Sequence, residues 1–326
     1  TKDSWFIKVW NVSNPKVIGI GECSYLPNLN PENLDTYEDK VAEVCNRIND
    51  NEHWLSEGLT EFPSIHFGLE VALLDLEKNG SKIIFDSPFS LSQNPTPING
   101  LIWMGNEAFM KQQIEVKLAE GFRCLKLKIG AIDFNEELKL LSYIRQNFTP
   151  EQVEIRVDAN GAFDKSEALN KLNQLTGFKL HSIEQPIQKN NTDSMSELCK
   201  LSPIPIALDE ELIGVFSVEE KEQLLVEIRP QYIILKPSFV GGFRGTNEWI
   251  LLAEKHNIKW WITSALESNI GLNAIAQYTF TKNSKLHQGL GTGSLFNNNI
   301  ASPLAVTNGN LTYNTHLKWD LNLLNH

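Results

Sequence analysis

Eight short β-rich runs recur from residue 98 onward at nearly constant spacing, and this regularity limits the available folds more than any other feature of the chain. They are Ile98–Ile102, Cys124–Ile129, Val153–Asp158, His181–Glu184, Ile204–Leu208, Tyr232–Leu235, Lys259–Thr263 and Leu286–Leu290, with successive starts 26, 29, 28, 23, 28, 27 and 27 residues apart. Each interval accommodates one strand and one helix, and regular alternation of the two implies a parallel sheet with helices outside it. Eight such units favour closure into a barrel. An open doubly wound sheet is the alternative, but no Gly-x-Gly-x-x-Gly follows the first run to hold a dinucleotide.

The first 97 residues follow another pattern. Residues 5–10 and 17–22 read as a hairpin turning at Asn14-Pro15. Leu34, Tyr37, Val41, Val44 and Ile48 then place one apolar stripe on a helix beginning after Pro31. A second helix follows Pro63, with Ser64 as its expected cap, Ile65, Leu69, Ala72, Leu73 and Leu76 as its buried face, and Asn79-Gly80 as its stop. These pieces predict an α+β capping domain over residues 1–97, separated by the polar stretch Ser90–Pro97 from a barrel domain over 98–299. The Asn308-Gly309 hairpin signal in the tail, residues 300–326, is expected to rejoin the N-terminal unit.

Composition narrows the partners. With 29 Lys plus Arg against 40 Asp plus Glu, and the basic residues dispersed, a surface for nucleic acid is not expected. No apolar run approaches the length of a membrane span. Charges interrupt the stretch Thr1–Lys8, so no signal peptide is read there and the cytoplasm is the expected compartment. Cys23, Cys45, Cys124 and Cys199 form no Cys-x-x-Cys pair and read as reduced structural thiols, and the seven histidines show no metal-binding spacing. A small-molecule partner remains, while monomer and homo-oligomer are equally compatible with the sequence.

Charged residues occupy strands that should be apolar. Leu125, Leu127 and Ile129 share one face of the second run, and Lys126 and Lys128 share the other. The lysines then point into the barrel mouth, unless this is a solvated edge strand. Asp158, Glu184 and Asp209 end the third, fourth and fifth runs, and in a barrel they fall on one arc. The alternative is three unrelated helix-capping acids. Three adjacent carboxylates cannot all stay charged without a cation, and hard oxygen donors suit Mg²⁺, with Glu210 as an alternative ligand to Asp209. Lys236 ends the sixth run before Pro237 and faces Lys128 across the arc. Trp260-Trp261 reads as packing, and the glycines of Gly289–Gly293 as a close backbone approach to an anionic group.

Taken together, Gly21-Glu22, the helix from Pro63 to Leu76, Asn99-Gly100-Leu101, Lys126-x-Lys128, Asp158-Ala159-Asn160, Glu184-Gln185-Pro186, Asp209-Glu210 and Lys236-Pro237 resemble the enolase superfamily, specifically its muconate-lactonising subgroup, over the whole chain. The resemblance implies a modified (β/α)₇β barrel of TIM type beneath an α+β capping domain built from both termini. It implies abstraction of a proton next to the carboxylate of a small-molecule substrate, with Mg²⁺ as cofactor and Mn²⁺ able to substitute. It makes Lys128 the proton carrier, Lys236 the cation on the opposite face and Lys126 their auxiliary. A lysine at its ordinary pKa of about 10.4 is a poor base near pH 7, so pairing Lys126 with Lys128 is expected to depress it. The runs Ser264–Gly271 and Gly289–Gly293 resemble a dehydratase branch of the subgroup, and Gly291-Thr292-Gly293 stands where dipeptide epimerases carry Asp-x-Asp. Ser264 and Gly291 are the substrate-binding residues this implies, with Leu26 and Trp54 of the capping loops over the substrate's tail. Some relatives racemise succinylated amino acids with the same residues, so the reaction class is narrower than the substrate.

Overall fold

The computed structural model describes residues 2–324. The chain opens with the antiparallel hairpin β1 (Ser4–Asn11) and β2 (Asn14–Ser24), followed by α1 (Leu34–Asn46). A single turn, α2 (Asn51–His53), runs into a π-helical turn over Trp54–Gly58, and α3 (Pro63–Glu77) packs along β2. That approach is backbone to backbone: a Cβ on Gly21 would lie 1.8 Å from the carbonyl oxygen of Gly68. The expected Ser64 cap is replaced. Pro63 is the first helical residue, and the Ser64 N–H donates to Glu32 Oε1 at 2.7 Å, so a carboxylate from a distant loop satisfies the helix start. Asn79 and Gly80 stop the helix as expected, both at positive φ.

After β3 (Thr96–Pro97) the alternation begins: β4 (Gly100–Ile102), α4 (Glu107–Ala119), β5 (Cys124–Lys128), α5 (Phe134–Asn147), β6 (Glu154–Asp158), α6 (Ala168–Leu175), β7 (Ser182–Glu184), α7 (Thr192–Leu201), β8 (Ile206–Leu208), α8 (Val218–Ile228), β9 (Tyr232–Leu235), α9 (Gly242–Lys255), β10 (Lys259–Ile262) and α10 (Asn269–Thr281). Strands β4 to β10 form one curled parallel sheet in sequence order. The eighth run is reduced to single bridges: Gln288 pairs with Ile98 and Gly289 with Thr263, so this short segment touches both edges of the sheet. Apolar residues on the outward faces, such as Leu125, Leu127, Ile155 and Val157, join the helices in the main core.

The tail meets the chain at two places. Its hairpin, β11 (Leu304–Thr307) and β12 (Asn310–Tyr313), pairs with β3 rather than with β1 or β2. The last described residues do return to the N-terminal unit, where Trp319, Leu321 and Leu324 pack with Phe6 and Ile20. That unit stands over the carboxyl-terminal ends of the strands. Leu26 and Leu29 rest on Ile213, Phe239 and Ala265, from the loops after β8, β9 and β10. Glu22 reaches the start of α10, accepting from Ser268 N at 2.9 Å and from Gly271 N at 3.1 Å. No helix among the described residues is long and apolar enough to cross a membrane.

Candidate active site

Strand periodicity builds the site in layers. On β5 the residues Cys124, Lys126 and Lys128 alternate with core leucines, and on β6 Glu154, Arg156 and Asp158 alternate with Ile155 and Val157. The register pairs Lys128 with Asp158 and Asp158 with Glu184, so the strand ends are level. Asp209 follows β8 directly and Lys236 follows β9. The six charged groups expected from the sequence therefore meet at one end of the sheet. The three carboxylates are buried, and each lysine side chain is only 12 to 15% exposed.

The ammonium groups hold the acids apart. Lys126 Nζ lies 2.9 Å from Asp158 Oδ2 and 2.6 Å from Glu184 Oε2. Lys128 Nζ lies 2.7 Å from Asp158 Oδ2 and 2.6 Å from Asn160 Oδ1. Lys236 is paired with Asp209. Burial alone pulls the Lys126 pKa down, but Asp158, Glu184 and Asp209 more than reverse this, and the net direction is upward. At Lys126 the facing carboxylates outweigh burial. Lys236 is likewise raised, with Asp209 and Glu210 overcoming desolvation. Burial opposes ionisation of Asp158, yet Lys126 and Lys128 lower its pKa below the usual range. Glu184 goes the other way, raised by burial and then by the Asp158 charge.

Two residues without an assigned role in the sequence reading complete the arc. Asn160, at φ +44°, accepts from Lys128 and donates from Nδ2 to Glu210 Oε1 at 2.8 Å. Gln185, at φ +40°, accepts from Asp209 N at 3.2 Å and donates to the Ile187 carbonyl. A positive φ on a non-glycine residue marks backbone held by its surroundings. The signal legible in the sequence is the position of both, one or two residues beyond a strand-end acid.

The donors are hard oxygens of the kind a divalent cation takes, although Asp158, Glu184 and Asp209 do not bring one oxygen each within 4.8 Å of one another. Glu184 Oε1 and Glu210 Oε2 are buried with no hydrogen-bond partner, leaving carboxylate lone pairs uncommitted beside Asp158 and Asp209. Of the substrate-binding candidates, Ser264 is buried against Thr292, with their hydroxyl oxygens 2.5 Å apart, and Gly291 precedes the short helical turn Thr292–Leu295. Leu26 lies over the strand ends. Trp54 does not: it is 2% exposed in the core of the N-terminal unit, and its indole N–H donates to the Arg47 carbonyl at 3.0 Å. The neighbouring carbonyls of Leu55 and Ser56 are held instead by Arg244 of α9, at 3.0 and 2.9 Å.

The family described as enolase C-terminal domain-like matches residues 109–316. The o-succinylbenzoate synthase of Desulfotalea psychrophila is 56% identical over 248 residues, which cover 76% of this chain and 67% of that protein. The crystal structure of MenC from Desulfotalea psychrophila LSv54 superposes with a TM-score of 0.83 at 44% identity, covering 95% of this chain and 94% of the other. A muconate lactonizing enzyme from Pseudomonas putida superposes with a TM-score of 0.80 at 23% identity over 99% and 94% of the two chains, a likeness of fold. With the lysines and strand-end acids level at one end of a curled parallel sheet, and with these relatives, the chain belongs to the enolase superfamily and, within it, to the o-succinylbenzoate synthase family.

Proposed function

We propose that this chain dehydrates 2-succinyl-6-hydroxy-2,4-cyclohexadiene-1-carboxylate to 2-succinylbenzoate, a carbon–oxygen lyase step of menaquinone biosynthesis. Kinship with the Desulfotalea psychrophila synthase over three quarters of the chain carries this reading. The fold we infer is a modified (β/α)₇β barrel over 98–299 under a capping domain of 1–97 and 300–326. The four cysteines are free, which accords with a reducing compartment such as the cytoplasm.

The reaction breaks a C–H bond next to a carboxylate and a C–O bond to the ring hydroxyl, and releases water. We assign Lys128 to take the α-proton and deliver it to the departing hydroxyl on the same face. Asn160 and Asp158 aim it, because two oxygens at 2.6 and 2.7 Å define the direction of its head group. Lys236 remains an ammonium opposite Lys128, where a fixed positive charge favours the anionic form of the substrate. Lys126 pairs with both Asp158 and Glu184, lowering the pKa of Asp158 and holding the two side chains in place. Asp158, Glu184 and Asp209, with Glu210 in reserve, would hold Mg²⁺. When bound, the ion supplies Lewis-acid stabilisation of the negative charge developing on the substrate carboxylate. Leu26, Ser264 and Gly291 are assigned to the substrate, Leu26 covering its succinyl tail.

Purified chain with Mg²⁺ should convert the cyclohexadiene to the aromatic product, followed by the loss of diene absorbance. No turnover of this substrate by folded, Mg²⁺-loaded protein would refute the assignment.

A further inference from the structure

The lowest layer inside the sheet contains groups that the proposed reaction does not use. Cys124 opens β5 and Glu154 opens β6, as register partners, and Cys124 Sγ lies 3.2 Å from Glu154 Oε1. His287, from the segment that bridges the sheet edges, places Nδ1 4.0 Å from the same oxygen. The sulfur, oxygen and nitrogen all lie within 4.8 Å of one another. We propose that Cys124, Glu154 and His287 form a second metal site, for a soft divalent cation such as Zn²⁺, at the amino-terminal ends of the strands.

The spacing suits the ion. Tetrahedral zinc with a thiolate at 2.3 Å and nitrogen or oxygen at about 2.0–2.1 Å separates its donors by roughly 3.3–3.6 Å, close to the distances present before any ion enters. The thiol now donates its proton towards Glu154, and the metal would take that proton's place. Burial strongly opposes a bare Cys124 thiolate, and a coordinated ion removes the penalty by neutralising the sulfur. Desolvation keeps His287 in the neutral form that binds metals.

Outer contacts hold the donors. Arg156 Nε donates to Glu154 Oε1 at 2.7 Å, its Nη1 donates to the His287 carbonyl at 2.9 Å, and its guanidinium lies 4.2 Å from the Trp261 ring. Supporting interactions of this kind fix the orientation of metal ligands. The thiolate and carboxylate together offset the two charges of the ion, and Arg156 adds a positive charge paired with Glu154. Cys124 is buried, whereas the side chains of Glu154 and His287 are 25 and 27% exposed, which leaves an entry path and room for a water as fourth ligand. Soft and hard sites stay distinct: four residues of strand, about 13 Å, separate Cys124 from Lys128.

The test titrates full-length, Mg²⁺-saturated protein with Co²⁺ and then Zn²⁺. One equivalent of Co²⁺ should produce a thiolate-to-cobalt charge-transfer absorption that Zn²⁺ displaces, and Zn²⁺ should raise Tm. C124S and H287A should lose the absorption and the rise in Tm, and should bind Zn²⁺ at least about tenfold more weakly. C45S, which removes the exposed thiol, should behave as wild type. H287A, at a partly exposed position, keeps the test valid if C124S fails to fold. No charge-transfer band in wild type, a band removed by C45S, or a band that survives in folded C124S or H287A would overturn the proposal.

Discussion

Lys126 Nζ lies 2.6 Å from Glu184 Oε2, although β6 separates the strands that carry the two residues. The reach is diagonal: Lys126 pairs in register with Arg156, and Arg156 with Ser182, two positions before Glu184. Lys126 thus neutralises two buried acids that have no other ammonium in common. Lys126→Met should cost about 3–5 kcal/mol of metal-free stability by removing the ammonium paired with Glu184 and one of the two that hold Asp158. Saturating Mg²⁺ should recover more stability in this variant than in wild type. Equal Mg²⁺-induced shifts in Tm would show that Lys126 and the ion do not neutralise the same acids.

Chelation should abolish turnover and added Mg²⁺ restore it, with Mn²⁺ an effective substitute. Asp209→Asn should weaken Mg²⁺ binding at least about tenfold, as expected when one of a few hard ligands loses its charge. Calorimetric titration reads this directly. Unchanged affinity in Asp209→Asn would transfer the ligand role to Glu210.

The two flanking lysines should separate on substitution by arginine. A guanidinium does not deprotonate near pH 7 but still supplies positive charge. Lys128→Arg and Lys128→Ala should both reduce kcat by about 10²–10⁴ and stop exchange of the α-proton with solvent. Lys236→Arg should keep part of the dehydration. Equal losses in the two arginine variants would mean that both lysines transfer protons, as a racemase acting on both faces requires.

Leu26 and Trp54 should give different phenotypes despite their neighbouring loops. Leu26→Ala should raise KM about tenfold with little change in kcat, since uncovering a partly buried leucine forfeits part of roughly 1.5–3 kcal/mol. Trp54→Ala should lower Tm instead, because truncating a buried tryptophan costs about 3–5 kcal/mol. A Trp54→Ala enzyme with wild-type Tm and altered substrate preference would place the indole at the substrate.

His181 should make the fold acid-sensitive. Desolvation, then the charge of Arg156, lowers its pKa from 6.5 to about 4. Between these values the unfolded chain binds the proton and the folded one does not, so stability falls as pH drops from 6.5 towards 4 and this contribution levels off below. The full contribution is at most about 3 kcal/mol. His181→Gln should flatten the dependence in that window. Denaturant midpoints measured from pH 4 to 7 that run parallel in the two proteins would remove His181 as the source.

Much of the site was legible because it depends on short-range periodicity. A two-residue period puts Lys126 with Lys128 and Arg156 with Asp158 on one face of each strand, and a run that ends in an acid delivers that acid to the strand end. Regular strand spacing then brings those ends together. Asn160 and Gln185 are not legible in this way, because their roles depend on backbone held at positive φ by partners from neighbouring strands.

By itself, then, the sequence determined the alternation of strand and helix, the face carrying each charged residue and the level at which the acids meet, because each follows from neighbours a few positions away. Tertiary structure alone decided that Trp54 is core while Leu26 packs over the strand ends, that β12 pairs with β3, and that Glu32 starts α3 in place of Ser64. It also decided that Glu22 meets Ser268 across 246 positions. These outcomes are settled by which surfaces exclude water together and which buried polar groups can satisfy one another, and no local pattern encodes either condition.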